Sequence, residues 1–187
     1  IRHMTENTDA EPLRIAFVCV QNAGRSQMAY AFARREVEQR GLEEPVELVT
    51  GGTRTADHLH DEVVRAMHAA GMDISGQTPR EITVEETQES DYVVTMGCSA
   101  DDVCPAGWAG ENRDWTLDDP DGKSGAEVGR IRDEIERRVN DLLDVSNLDV
   151  NHLIPKRVSC SERDVLAPVL TAGECVELVT SALIPYD

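Results

Sequence analysis

A chain of 187 residues is long enough to close one ordinary hydrophobic core with some chain to spare, and with aromatics at 4% that core must be built mainly from Val, Leu, Ile, Ala and Met. A formal charge of -18 at pH 7 repels nucleic-acid phosphate and anionic lipid, so neither nucleic acid nor membrane is expected as a partner. No apolar run approaches a membrane span, and five cysteines (Cys19, Cys98, Cys104, Cys160, Cys175) behind no secretory leader pattern fit a reduced cytoplasmic protein better than a disulfide framework.

Ile1 to His3, ahead of Met4, read as a tag remnant, and residues 1–12 as a loose polar tail. Residues 13–20 (LRIAFVCV) form a short β-branched run of the kind shown by a strand covered on both faces. Residues 26–40 predict a helix, with Met28, Ala31, Phe32 and Val37 near helical spacing and Gly41 as its C-terminal cap. PVELVT (45–50) is a second strand, ended by Gly51 and Gly52. Residues 60–71 predict a helix with acids in its first turn and Val63, Val64, Met67 and Ala70 on one side. SDYVVTMG (90–97) is a third strand and RDWTL (113–117) a short fourth. Residues 124–144 give the clearest helix, with Val128, Ile131, Ile135, Val139 and Leu142 at spacings of three and four. This alternation predicts an α/β fold, a four-stranded parallel sheet flanked by helices on both faces, over residues 13–145. Residues 146–187 form a C-terminal extension of different pattern, holding Cys160 and Cys175.

The chemistry concentrates in CVQNAGRS. In open α/β sheets ligands bind beyond the carboxyl ends of the strands, where Cys19 falls. Backbone N–H groups of Val20, Gln21, Asn22, Ala23, Gly24 and Arg25 can turn inward as a nest for an anion, helped by the positive end of the following helix. Arg25 can grip two oxygens of a tetrahedral oxyanion with its planar fork. The same surroundings stabilise the Cys19 thiolate, the form that attacks, and Ser26 can donate a hydrogen bond to it. Asn22 suits bracing the loop. The plain alternative is a buried cysteine beside a surface arginine, and Cys-x5-Arg alone is a weak signal; the strand before and the helix after make it strong.

VCVQNAGRSQMA resembles the active-site loop of the low-molecular-weight protein tyrosine phosphatase fold. Within it, RSQMA resembles the thioredoxin-coupled arsenate reductases of that fold, whereas phosphatases more often have proline in the place of Gln27. The resemblance runs from about Leu13 to Leu143 through GMDISGQTPREIT, YVVTMGC and DWTLDDPDG, in the family's order. It implies that Asp119, the aspartate before Pro120, protonates the leaving oxygen, with Asp118 as a local competitor. It also implies a relay. Cys19 attacks arsenate, Cys98 attacks the adduct to release arsenite, and Cys104 takes over the disulfide for an external thiol reductant, thioredoxin or similar. The loop carrying Cys98 and Cys104 must then move. No bound cofactor is implied, and phosphate is the natural analogue of arsenate.

Two other functions stay open. A phosphomonoester hydrolase needs only Cys19, Arg25, Asp119 and water, which leaves Cys98 and Cys104 superfluous. No aromatic follows the acid in DPDGKSG, which disfavours phosphotyrosine. A non-catalytic oxyanion sensor is the other alternative, disfavoured by the complete set Cys19, Arg25 and Asp119. No metal is expected. Cys98 and Cys104 lack a second ligand pair of zinc spacing, and His58, His60 and His68 read as solvated surface. The potassium site of some relatives is not expected either, since Tyr30 and Arg80 stand where carboxylates would be. Two lysines against sixteen arginines on so acidic a chain resemble the surfaces of proteins from salt-loving organisms, where screening relieves self-repulsion.

Overall fold

The structure, a computed structural model, describes residues 11–144. The elements run β1 (Leu13–Cys19), α1 (Arg25–Arg40), β2 (Val46–Gly52), α2 (Asp61–Ala69), α3 (Val84–Gln88), β3 (Tyr92–Met96), α4 (Ala100–Val103), β4 (Glu111–Asp114) and α5 (Gly125–Leu142). The four strands pair in parallel in the order β2-β1-β3-β4, as the strand–helix alternation predicts. The extension at 146–187, with Cys160 and Cys175, lies outside the described residues. Among the described residues no helix is long and apolar enough to cross a membrane.

Alternation along β1 explains its place between two layers. Leu13, Ile15, Phe17 and Cys19 join a large core with α1, α2 and α5, while Ala16 and Val18 face a smaller cluster with Val49, Val93 and Val103. All five apolar positions expected for α5 are buried. Its start is fixed by a capping box in which Ser124 accepts from the Glu127 N–H and Glu127 accepts from the Ser124 N–H. Gly41 ends α1 in the left-handed region at φ 65, and the Leu42 N–H reaches back to the Val37 carbonyl. In α2, Val63 and Met67 are buried, but Val64 is only half-buried and Ala70 is exposed beyond the helix end. Two short helices escaped the sequence pattern. β4 also begins two residues earlier than the pattern implies, because its four residues, Glu-Asn-Arg-Asp, are paired through backbone and carry no apolar alternation.

The register brings Cys19 level with Gly52 on one side and Met96 on the other. The chain leaves β1 toward β2 on one side and later crosses to β3 on the other, so the carboxyl end of β1 sits at the switch point where α/β sheets open a crevice.

Exposed ion pairs clothe this fold. Arg35 bridges Glu36 and Glu136, Arg80 holds Glu86, and Arg14 joins Glu47 and Glu89 across the sheet edge. Arg137 and Arg138 pull the Glu134 carboxyl down to about 2. Such pairs contribute only about 0–1 kcal/mol each, so they do not offset the repulsion of a -18 chain at low ionic strength. The melting temperature should therefore rise by roughly 10 °C or more between dilute buffer and molar potassium chloride. A thermal melt over a salt series checks this; a flat or falling series would show that the ion pairs dominate.

Candidate active site

β1 ends at Cys19, and the chain crosses to α1 through Val20–Gly24. The next loop out of the sheet backs this crossing with a row of backbone hydrogen bonds. The N–H groups of Thr53, Arg54, Ala56 and His60 donate to the carbonyls of Cys19, Val20, Gln21 and Ala23 at 3.2, 2.8, 3.0 and 3.1 Å. A planar trans peptide points its N–H opposite to its C=O, so carbonyls turned outward leave the N–H groups of Val20, Gln21, Asn22 and Gly24 facing in. Gly52 lets β2 lie beneath this loop, because a Cβ there would sit 2.6 Å from the Val20 carbonyl oxygen.

Asn22 is the hub. Among the described residues it is the non-glycine with positive φ, at 52, a region that asparagine tolerates better than most. Its side chain is fully buried and fully used. The Nδ2 donates to Ser26 Oγ at 2.8 Å and Thr50 Oγ1 at 2.9 Å, while Oδ1 accepts from Gln27 Nε2 at 2.9 Å and the Arg80 N–H at 3.0 Å. Thr50 gives its hydrogen to the Phe17 carbonyl at 3.1 Å. Ser26 Oγ receives from Asn22 and lies 3.0 Å from Cys19 Sγ, within reach of its own hydroxyl hydrogen. The Asn22 N–H donates to the same sulfur at 3.2 Å.

Arg25 closes the other side. Its guanidinium, 8% exposed, donates through Nη1 to the Leu117 carbonyl at 3.1 Å and through Nη2 to Asp119 at 2.7 Å. Gly97 makes room for it, since a Cβ there would meet Nη1 at 2.7 Å. Pro120 packs its ring against Gly24, where a Cβ would approach Cγ to 2.8 Å. Cys19, Val20, Gln21, Gly24, Arg25, His60, Gly97 and Asp119 line a cavity of about 250 Å³, below the range of drug-sized ligand sites. No aromatic side chain lines it, and Asp118 is not among its walls.

Of the residues singled out by sequence, Cys19, Val20, Gln21, Gly24, Arg25 and Asp119 thus meet at one cavity. Asn22, Ala23 and Ser26 are buried in the loop that frames it. Cys98 follows Gly97 directly, and its thiol points at the Val18 carbonyl 3.7 Å away. Burial pushes the Cys98 thiol up, opposed by a backbone hydrogen bond from Met96. Cys104 caps α4 farther out and packs with Cys98 against the smaller apolar cluster; burial, then Asp101, raise its thiol too. All three described cysteines are free. Arg80 contributes its backbone N–H to Asn22 and its guanidinium to Glu86. Sequence reasoning missed Thr50 and the backing of the loop by residues 53–60, and it gave Gln27 and Gly52 no structural part in the site; the pair Gly51-Gly52 was the available signal.

Asn22→Ala should lower folding stability by about 2–4 kcal/mol, from left-handed strain and buried donors left unpaired. It should also depress turnover by randomising Ser26. Urea melts and steady-state rates check this, and an unchanged midpoint would show that the loop is held from outside alone.

A family model described as low molecular weight phosphotyrosine protein phosphatase matches residues 14–153. A Halobacterium salinarum protein, provisionally named an arsenate reductase, is 53% identical over 136 residues, covering 73% of this chain and 94% of that protein. An arsenate reductase of Brevibacillus brevis is 37% identical over 126 residues, covering 67% and 90%. Among solved structures, a thioredoxin-dependent arsenate reductase of Corynebacterium glutamicum is similar with a TM-score of 0.56 and 34% identity, covering 71% of this chain and 61% of that one.

Proposed function

The chain belongs to the low molecular weight phosphotyrosine protein phosphatase family, and from that premise we propose that it reduces arsenate to arsenite, with Cys19 as nucleophile and Cys98 and Cys104 as the thiols that carry the oxidation away. The observation that carries this reading is the free, half-buried Cys98 set directly behind Gly97, a wall residue of the oxyanion cavity. A hydrolase has no use for it.

The chemistry balances as follows. Arsenate enters the nest and takes over the guanidinium fork of Arg25, displacing Asp119. The Cys19 thiolate attacks arsenic, and an oxygen leaves as water on receiving a proton from Asp119. The Cys98 thiolate then attacks Cys19 Sγ. A sulfur–sulfur bond forms, the sulfur–arsenic bond breaks, and its electron pair stays on arsenic, which departs as arsenite. Cys104 attacks Cys98 Sγ, freeing the Cys19 thiolate and leaving a Cys98–Cys104 disulfide. An external dithiol, thioredoxin or a similar protein, reduces that disulfide in a reducing cytoplasm. Phosphate should occupy the same nest as a non-reducible analogue.

The test is anaerobic: reduced protein receives one equivalent of arsenate, and arsenite, free thiols and disulfide-linked peptides are measured. Wild type should yield one arsenite and lose two thiols. Cys104→Ser should yield one arsenite and stop with Cys19 linked to Cys98. If no disulfide forms while an activated phosphate ester is hydrolysed quickly, the protein is a phosphatase.

The pH dependence of the reductive step follows from Cys98. Its pKa is raised, so at neutral pH it is mostly thiol. Below that pKa the attacking thiolate increases about tenfold per pH unit, and disulfide formation in a rapid-quench single turnover should accelerate in step. A flat rate from pH 6 to 9 would remove Cys98 as the attacking group.

A further inference from the structure

We propose that His60, Glu62 and Asp121 form a binding site for a divalent metal ion that ties the turn carrying Asp119 to the start of α2. These three residues come from two separate segments, and one ligand atom from each lies within 4.8 Å of the others. The imidazole is in the state a metal needs. Its Nε2 lies 2.9 Å from the Gln21 side-chain oxygen. An amide oxygen only accepts, so Nε2 carries a hydrogen, and in the neutral ring that a metal binds Nδ1 then presents the lone pair. That Nδ1 is buried and has no hydrogen-bond partner. A buried acceptor without a donor is a cost that a cation would remove. The Nε2–H contact to Gln21 is the outer hydrogen bond that metal-ligating histidines make.

The carboxylates are poised as well. Glu62 is steadied by the Gly122 N–H at 3.1 Å, next to Asp121 in the chain. Asp121 is exposed and its N–H donates to Asp119 at 3.2 Å, so its side chain is free to turn inward. Bonds of about 2.1 Å in a tetrahedral shell place ligand atoms about 3.4 Å apart, a contraction that one exposed and one half-buried carboxylate can supply. One neutral imidazole and two carboxylates offer two negative charges, matched to a dication. Mixed nitrogen and oxygen donors, with no thiolate, select the Mn²⁺ to Zn²⁺ range over softer ions. Histidine spacing alone could not reveal the site, because the third ligand lies some sixty residues further along.

An ion here would anchor residues 119–122 without touching Cys19. The site stands apart from the reductase reading, and its test needs no turnover. Full-length protein stripped with chelator is titrated with Mn²⁺ in about 1 M potassium chloride, which screens diffuse attraction to the acidic surface. Free Mn²⁺ is read from its paramagnetic resonance signal, and Zn²⁺ is then added as competitor. Wild type should show one saturable site with Kd below about 0.1 mM. His60→Ala and Asp121→Asn should each weaken it by about 10–100-fold. Glu43→Gln with Glu44→Gln, a comparable loss of charge elsewhere, should leave it unchanged. Asp121 is exposed, so its variant should keep the wild-type melting temperature in chelator; Mn²⁺ should raise that temperature in wild type and not in the variant. No saturable binding, or equal binding in His60→Ala and Asp121→Asn, would overturn the site and leave only a counterion cloud.

Discussion

Cys19→Ser should leave arsenate turnover at least about 10⁴-fold below wild type, while the melting temperature stays within a few degrees. The size of the loss follows from the hydrogen-bond directions around the sulfur. The Asn22 N–H points a donor at position 19, and the Ser26 hydroxyl is in hydrogen-bond contact with it. Hydrogen-bond donors suit an anionic sulfur nucleophile and cannot take a proton. A serine hydroxyl there would need a base to take its proton, and neither of these two groups can accept it. Retention of turnover within tenfold of wild type would mean that the chemistry starts at a different thiol.

Arg25→Lys should lower kcat/KM for arsenate by about 10²–10³-fold and weaken phosphate binding alongside. The arginine fork spans two acceptors at once, the Leu117 carbonyl and Asp119, from a position 8% exposed. A lysine ammonium keeps the charge but holds one point in space, so it cannot grip two oxygens of a tetrahedral anion in a fixed plane. Its shorter reach also leaves the Leu117 carbonyl unpaired. Phosphate titration by calorimetry together with single-turnover arsenate kinetics separates binding from chemistry. Near-normal phosphate affinity would show that Arg25 serves only to hold the Leu117–Asp119 segment.

The reach of the sequence differed from one element to the next for physical reasons. The α5 stripe was legible because five apolar positions recur on one face of a long helix. Cys19, Arg25 and Ser26 were legible because strand, loop and helix follow one another without interruption. α3 and α4, at five and four residues, are too short for any periodicity. β4 carries polar residues and is held by its backbone pairing to β3. The backing of the loop by residues 53–60 runs through peptide groups, which every residue type carries, so no side-chain pattern announces it. Gln27 is a partial exception: its identity separated it from the proline of phosphatases, and its hydrogen bond to the buried Asn22 is a contact that proline would lose.

Gly97 touches two tasks at once. Its bare backbone is the surface on which the Arg25 guanidinium rests, and its neighbour is Cys98. Any backbone movement that carries the Cys98 thiol toward Cys19 is passed directly to Gly97. In the proposed relay, a backbone shift that brings Cys98 to Cys19 would move the surface beneath the guanidinium, and the grip on the oxyanion would loosen as the first disulfide forms. Oxidation of the thiols and release of the product would then be coupled through one residue without a side chain, and an alanine there, at φ 78 and 2.7 Å from Nη1, would hinder both.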